Sequence, residues 1–200
     1  MIIEWAVSER AFAGAARSGD QYLVEPLPGG VLVAVVDGLG HGPEAFVAAR
    51  RATEVAGQWA DEPVDDILRH CHEALKGTRG AVMSLAALRA DEDRMAWLGV
   101  GNVEGALFRS APSDDRPERE ALLARPGVVG YRIPSLRVAV LPIAPGDTML
   151  FATDGIASAF LDDPPLHLSP QQLAEDTLVR FGRATDDALV LAFRYRGATP

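Results

Sequence analysis

The sequence predicts an α+β fold, and three observations lead to that prediction. Residues 31–36 form an apolar run rich in β-branched Val, which suits a strand covered on both faces. Two segments with helical periodicity follow this run. Several short strand-like segments separated by turns come next, and they favour an antiparallel sheet. The 200 residues, 48% of them hydrophobic, fit one domain spanning 1–200.

Two short strands precede the Val-rich run. Residues 2–8 and 22–25 have the composition of strands, and the small residues of 13–20 separate them. The LPGG sequence at 27–30 predicts a hairpin turn. The chain should therefore enter the Val-rich strand from an antiparallel neighbour.

Two helices are predicted after the glycine-rich turn that follows Asp37. Pro43 stands where a helix can begin, and apolar residues then recur on one helical face as far as Trp59. Pro63 introduces a second helix, which Gly77 ends.

The next region predicts a meander of three strands. Residues 81–88, 94–100 and 103–109 have strand composition, with turns between them, and Asn102 is assigned to a turn with a left-handed preference. Residues 111–119 have the composition of an exposed loop.

The last third of the chain predicts two strands, a helix and a final strand. The strands are expected at 137–140 and 148–153, with Asp147 in the turn before the second. Ser169 caps a predicted helix that ends near Phe181. An apolar strand closes the chain.

Charge and composition exclude several function classes. The net charge of -9 argues against a nucleic-acid surface and against anionic membranes. No apolar run approaches the roughly 20 residues needed to cross a bilayer. A single cysteine, Cys71, excludes an intrachain disulfide, and the first residues lack the apolar core of a signal peptide. We therefore expect a soluble cytoplasmic protein.

Aspartates recur where predicted strands meet turns. They are Asp20, Asp37, Asp154, Asp186 and Asp187. Any one of them alone can be a turn residue. If the fold gathers them, their mutual repulsion calls for a cation, and carboxylate oxygens favour Mg²⁺ or Mn²⁺.

The order of the motifs resembles that of the PP2C-like serine/threonine phosphatases of bacteria, the SpoIIE and RsbU group. The motifs are GD, VDGLGHG, VGN, PGD, TDG and a final DD, and the resemblance runs from about residue 15 to 194. It implies an αββα sandwich of two antiparallel sheets flanked by helices. It also implies hydrolysis of phosphoserine or phosphothreonine by a hydroxide that bridges two metal ions. By the same resemblance, the substrates would be phosphorylated STAS-domain or stressosome proteins.

The resemblance further implies a ligand set for two Mn²⁺ or Mg²⁺ ions. Asp37 would bridge both ions, and the backbone carbonyl of Gly38 would bind one. Asp154 and Asp186 would hold the other, and Asp20 would join them directly or through water. Asp37 and Asp154 would thus carry catalysis.

Other polar residues have more than one interpretation. Asp187 would lie behind the ligands, and His41 either orients water or phosphate or faces solvent. The phosphate-binding Arg of eukaryotic members corresponds to Ala15 here. Arg17 and Arg79 are then the candidates for binding phosphate, with surface solvation as the alternative.

Two other functions remain open. The chain could be a catalytically inactive PP2C-like module that binds a phosphoprotein without turnover. The GLGHG sequence could bind a nucleotide, but it lacks the Lys and Ser/Thr of a P-loop and the spacing of a dinucleotide fingerprint.

Overall fold

A computed structural model describes residues 1–12, 17–113 and 116–198. The strands of these residues are β1 (Ile3–Arg10), β2 (Asp20–Leu27), β3 (Gly30–Gly38), β4 (Ala81–Arg89), β5 (Arg94–Val100), β6 (Glu104–Phe108), β7 (Arg119–Ala121), β8 (Ala139–Pro142), β9 (Thr148–Ala152) and β10 (Ala188–Tyr195). The helices are α1 (Pro43–Gln58), α2 (Val64–Ala74), α3 (Pro170–Phe181) and a short 3-10 helix (Ser158–Leu161).

The strands form two antiparallel sheets that face each other. One sheet has the order β1-β10-β9-β6-β7 and the other the order β2-β3-β4-β5-β8. Buried apolar side chains of both sheets fill the space between them. Helices α1 and α2 cover the outer face of the second sheet, and α3 covers the outer face of the first. This arrangement confirms the predicted α+β class and the αββα sandwich.

Strand β3 is buried on both faces, as its composition predicts. Val31, Val33 and Val35 join the core between the sheets. The alternate side chains, such as Leu32 and Val36, pack beneath α1 and α2. The two-residue period of a strand produces this division, and it fixes the end of β3 between two packed layers.

Small residues let helix α1 lie close to β3. Ala48, Ala49 and Ala52 are fully buried in the core beneath it. A Cβ atom on Gly38 would lie 2.1 Å from the carbonyl oxygen of Ala45. A side chain at position 38 would thus push α1 away, which explains the glycine there. The predicted start of α1 at Pro43 is confirmed.

The other local signals for helices and turns also hold. Gly29 adopts φ 69° in the predicted hairpin. Ser169 caps α3 in a capping box with Gln172.

The predicted meander of β4, β5 and β6 is wrong. Strands β4 and β5 pair, but β6 lies in the other sheet between β7 and β9. The chain crosses between the sheets at Gly101, which has φ 103° and whose Cβ atom would lie 2.1 Å from Val82 Cγ1. The left-handed residue of this described turn is therefore Gly101 and not Asn102.

Two boundaries after β6 also differ from the sequence prediction. Strand β7 begins at the end of the segment 111–119, which was predicted as a loop. Strand β8 starts two residues later than predicted and lies at a sheet edge. Parts of the predicted connections, residues 13–16 and 114–115, lie outside the described residues.

Cys71 lies on the buried face of α2. Burial raises the pKa of its thiol to about 12, which keeps it protonated and packed as an apolar group. None of the helices in the described part of the chain has the length and apolar composition required to cross a membrane.

Candidate metal centre

Hairpin β2–β3 brings two of the predicted aspartates together. Asp20 and Asp37 are directly opposite in its antiparallel register. Opposite residues of such a pair point to the same face of the sheet. Asp20 begins β2 and Asp37 is the last residue but one of β3, so the two carboxyl groups stand at one end of the second sheet. Asp20 is buried and Asp37 half-buried.

The first sheet supplies the remaining aspartates at its neighbouring end. Ala152, at the end of β9, pairs with Val190 near the start of β10. Asp154 therefore follows β9 at the same end of the sheet at which Asp186 precedes β10. The antiparallel pairing brings together residues that are far apart in the sequence.

Thr153 joins the two sheet ends. Its hydroxyl donates to Asp20 Oδ2 over 2.7 Å and accepts a hydrogen bond from Leu189 N over 2.9 Å. This buried bond crosses from one sheet to the other. It gives the Asp20 carboxylate a fixed orientation.

Asp187 makes a second connection between the sheets. Its Oδ2 accepts from Gly19 N over 2.9 Å, and its Oδ1 accepts from Phe12 N over 2.8 Å. Both carboxylate oxygens therefore bind backbone amides. This supports the predicted position of Asp187 behind the other four aspartates.

The sequence prediction missed two contacts of Asp154. Asn102 Nδ2 donates to Asp154 Oδ2 over 2.8 Å. Arg183 Nη1 donates to the backbone carbonyl of Asp154 over 3.1 Å. Asn102 is part of the VGN motif, but the sequence does not show what its side chain contacts. The Asn102 side chain reaches the Asp154 carboxylate because the chain crosses between the sheets at Gly101.

The backbone of Gly38 lies beside the acidic cluster. Its N donates to Gly19 O over 3.1 Å. A Cβ atom built on Gly19 would lie 3.6 Å from the Gly38 carbonyl oxygen. The same Cβ atom would lie 3.1 Å from Asp187 Oδ2. The Gly38 carbonyl therefore lies beside Gly19, in the neighbourhood of Asp187.

The surroundings of Asp20 and Asp37 disfavour ionisation of their carboxyl groups. Burial, and then the charges of the neighbouring aspartates, raise the pKa of Asp37 from 3.8 to about 8. Burial also raises the pKa of Asp20 to about 7, although the hydrogen bond from Thr153 opposes the rise. A bound cation would reverse both effects.

This donor set suits a hard divalent cation. It consists of carboxylate oxygens and one backbone carbonyl, the ligands that Mg²⁺ and Mn²⁺ prefer. In the described parts of the chain, no three His, Cys, Asp or Glu side chains converge on one point as a preformed metal-binding group. The carboxylates are thus adjacent without surrounding one point. Their charge and oxygen donors are what fit a divalent cation.

The other candidate residues lie around the glycine turn. Arg79 Nε binds Glu44 Oε2, and its Nη1 lies 2.8 Å from where a Cβ atom on Gly40 would be. The Arg17 guanidinium lies 4.8 Å above the Phe46 ring. His41 is exposed on this turn.

The raised pKa values of Asp20 and Asp37 predict how pH affects the stability of metal-free protein. Between pH 4 and 8 the folded chain holds protons that the unfolded chain has released. These protons stabilise the folded chain. Their contribution to the free energy of unfolding is complete below the unfolded-state pKa of 3.8, and it is lost as pH rises through the folded-state pKa values of about 7 and about 8. In EDTA, the free energy of unfolding of the wild type should therefore fall relative to Asp37→Asn between pH 5 and pH 8.

Urea unfolding at both pH values measures this difference. Mn²⁺ should restore the wild type at pH 8 and have little effect on Asp37→Asn. Asp163→Asn, in an exposed loop, is the matched control. A wild type that gains stability over Asp37→Asn as pH rises would contradict the prediction.

Comparison with known proteins places this arrangement in a family. Residues 28–196 match the family model for Stage II sporulation protein E (SpoIIE). The chain is 29% identical over 94 residues to phosphoserine phosphatase RsbX of Bacillus subtilis (strain 168). That match covers 47% of each sequence, so it spans about half the length of the relative.

Solved structures extend the similarity over nearly the whole chain. A chain of "The bacterial stressosome: a modular system that has been adapted to control secondary messenger signaling" aligns with a TM-score of 0.85 and 31% identity, over 96% of this chain and 99% of that one. RsbX in complex with magnesium aligns with a TM-score of 0.82 and 21% identity, over 96% and 95% of the two chains.

Proposed function

The chain belongs to the SpoIIE family, and we propose that it is a metal-dependent phosphatase acting on phosphoserine or phosphothreonine of a signalling protein. The observation that carries this proposal is the meeting of Asp20, Asp37, Asp154 and Asp186 at the adjoining ends of two sheets. We assign the whole of residues 1–200 to one PP2C-like catalytic domain.

The proposed ligands are those four aspartates and the Gly38 carbonyl, holding two Mn²⁺ or Mg²⁺ ions. Such ions activate water near neutral pH and neutralise charge on the phosphate oxygens. Asp37 and Asp154 are the residues proposed to be essential for turnover. The Asn102 amide holds one oxygen of Asp154, which leaves the other free for a ligand.

Arg79 is our proposed phosphate anchor. Its guanidinium lies against Gly40, three residues beyond Asp37, and the exposed Glu44 is its carboxylate partner. A phosphate monoester can replace Glu44, because a guanidinium binds phosphate and carboxylate in the same two-pronged way. Arg17 is the weaker candidate, since its guanidinium already stacks on Phe46.

Arg79→Ala should raise the KM for p-nitrophenyl phosphate about tenfold or more, because it removes a charge-assisted bond to the phosphate. Glu44→Gln should lower KM, because it frees the guanidinium. Arg17→Ala is the matched control and should change KM less. Steady-state kinetics with Mn²⁺ measures all three, and an unchanged KM in Arg79→Ala would refute the assignment.

The proposed substrates are phosphorylated STAS-domain or stressosome proteins. Similarity to RsbX and to a chain of the bacterial stressosome supports this choice. We place the activity in the cytoplasm, in agreement with a lone, buried cysteine.

Release of inorganic phosphate from a phosphoserine peptide tests the proposal. Purified protein should turn over many times with Mn²⁺ and stop with EDTA. Stoichiometric peptide binding without phosphate release would instead identify an inactive phosphoprotein-binding module.

A further inference from the structure

The chain contains one long segment without acidic residues. Residues 121–146 include no Asp or Glu and three Arg, although 28 of the 200 residues are acidic. We call this segment the acid-free strip. Its charge is opposite in sign to that of the whole protein.

The acid-free strip is a fixed surface because its apolar residues anchor it. Val129 is fully buried and exchanges two backbone hydrogen bonds with Ala81, of 3.0 and 2.8 Å. Ile133 and Leu136 pack against the core beneath α1 and α2. The strip therefore holds its exposed residues in definite positions.

Other apolar side chains of the strip face solvent. Leu123 and Tyr131 are each 85% exposed, and Val140 on the edge strand β8 is 57% exposed. Exposed large apolar groups on a segment whose only charged residues are arginines can serve as a protein-binding surface.

A groove lies beside part of the strip, including Leu123. It has a volume of about 450 Å³ and lies between the edge strands, with Trp97, Leu122 and Leu141 as its apolar lining. Arg125 and Arg137 line it as well. Glu120 is the acidic residue of the lining. It binds the buried guanidinium of Arg109, so it does not neutralise Arg125 and Arg137.

The strip also reaches the proposed phosphate anchor. Val128 Cγ1 and Val129 O each lie 2.7 Å from where a Cβ atom on Gly80 would be. Gly80 directly follows Arg79, and its carbonyl accepts a hydrogen bond from Leu39 N of the glycine turn. The strip therefore packs against the residue that follows the proposed phosphate anchor.

We propose that the acid-free strip is the docking surface for an acidic, partly apolar segment of the phosphorylated protein substrate. The inference rests on the proposed function, since the strip leads to the phosphate anchor. Arg125, Arg132 and Arg137 attract the acidic side chains, and the groove takes the apolar ones. An extended segment of 20 residues spans up to about 70 Å, which is longer than a compact 200-residue domain is wide, so it can contact the groove and the centre together.

Three substrates separate docking from chemistry. They are p-nitrophenyl phosphate, a 20-residue phosphoserine peptide rich in Asp, Glu and Leu, and the same peptide with Lys at each acidic position. The wild type should show a KM about tenfold lower for the acidic peptide than for the Lys peptide. Arg125→Glu/Arg137→Glu should abolish that preference and leave turnover of p-nitrophenyl phosphate within about twofold.

Arg50→Glu/Arg180→Glu makes the same charge change on α1 and α3 and should keep the preference. The proposal is overturned if the wild type lacks the preference, if both double variants lose it equally, or if the strip variant only dissolves a dimer of this chain. Failure to release phosphate from any of the three substrates would refute the proposed function instead. Fluorescence anisotropy of the labelled peptides would then still test the strip, which requires tighter binding of the acidic peptide.

Discussion

Asp37→Ala should lower phosphate release from a phosphoserine peptide about a thousandfold, corresponding to loss of the several kcal/mol that a metal centre supplies. Asp37 stands opposite Asp20 and is flanked by the aspartates of the other sheet. Its removal takes away one of the carboxylates that would hold the ions. Asp154→Asn should lower phosphate release as well, because it removes the charge of a proposed ligand that follows β9.

Single-turnover and steady-state assays with Mn²⁺ measure the loss. Asp163→Ala, in an exposed loop, is the matched control and should keep full activity. Circular dichroism should show that Asp37→Ala remains folded, since its removal also relieves repulsion among the aspartates. Full activity in a folded Asp37→Ala would exclude Asp37 from the chemistry.

Asp147→Ala should destabilise the fold by about 3 to 5 kcal/mol. The side chains of Asp147 and Arg109 are 1% and 0% exposed and meet over 3.1 Å. Asp147 also accepts from Ser110 N and Ala144 N, over 2.9 and 3.0 Å. The substitution removes the carboxylate that accepts from the buried Arg109 guanidinium and from the amides of Ser110 and Ala144. The Glu120 carboxylate still binds Arg109 and balances part of its charge.

Urea unfolding measures the change in the free energy of unfolding. Glu54→Ala, which breaks the exposed pair with Arg50, is the control and should cost about 0.5 kcal/mol or less. A loss below about 1 kcal/mol for Asp147→Ala would mean that the buried pair does not support the fold.

The sequence predicts the fold wherever the signal is local. The Val-rich β3, the start of α1 at Pro43 and the capping box at Ser169 depend on neighbouring residues, and the structure confirms each. The family inferred from motif order is confirmed as well. Strand β6 was assigned to the wrong sheet because a glycine turn permits both a hairpin and a crossing. In the structure, Gly101 lies against Val82 and the chain crosses to the other sheet there.

The sequence was enough to predict the aspartates of the candidate site. It was not enough to predict the residues that hydrogen-bond to them. Asp residues at strand ends stand out in the sequence, whereas Thr153 and Asn102 resemble ordinary turn residues until both sheets are in place. Asp147 was correctly assigned to a turn, but its buried partner lies 38 positions away in the sequence. Pairings at that separation leave no local pattern. The metal-ligand and phosphate-binding assignments stay predictions.

The most direct test of the account is the number of phosphate ions released per protein chain from a phosphoserine peptide, counted with Mn²⁺ and with EDTA. We predict many turnovers with Mn²⁺, none with EDTA, and about a thousandfold slower release for Asp37→Ala. Release that continues unchanged in EDTA, or peptide binding with no phosphate released in Mn²⁺, would contradict it.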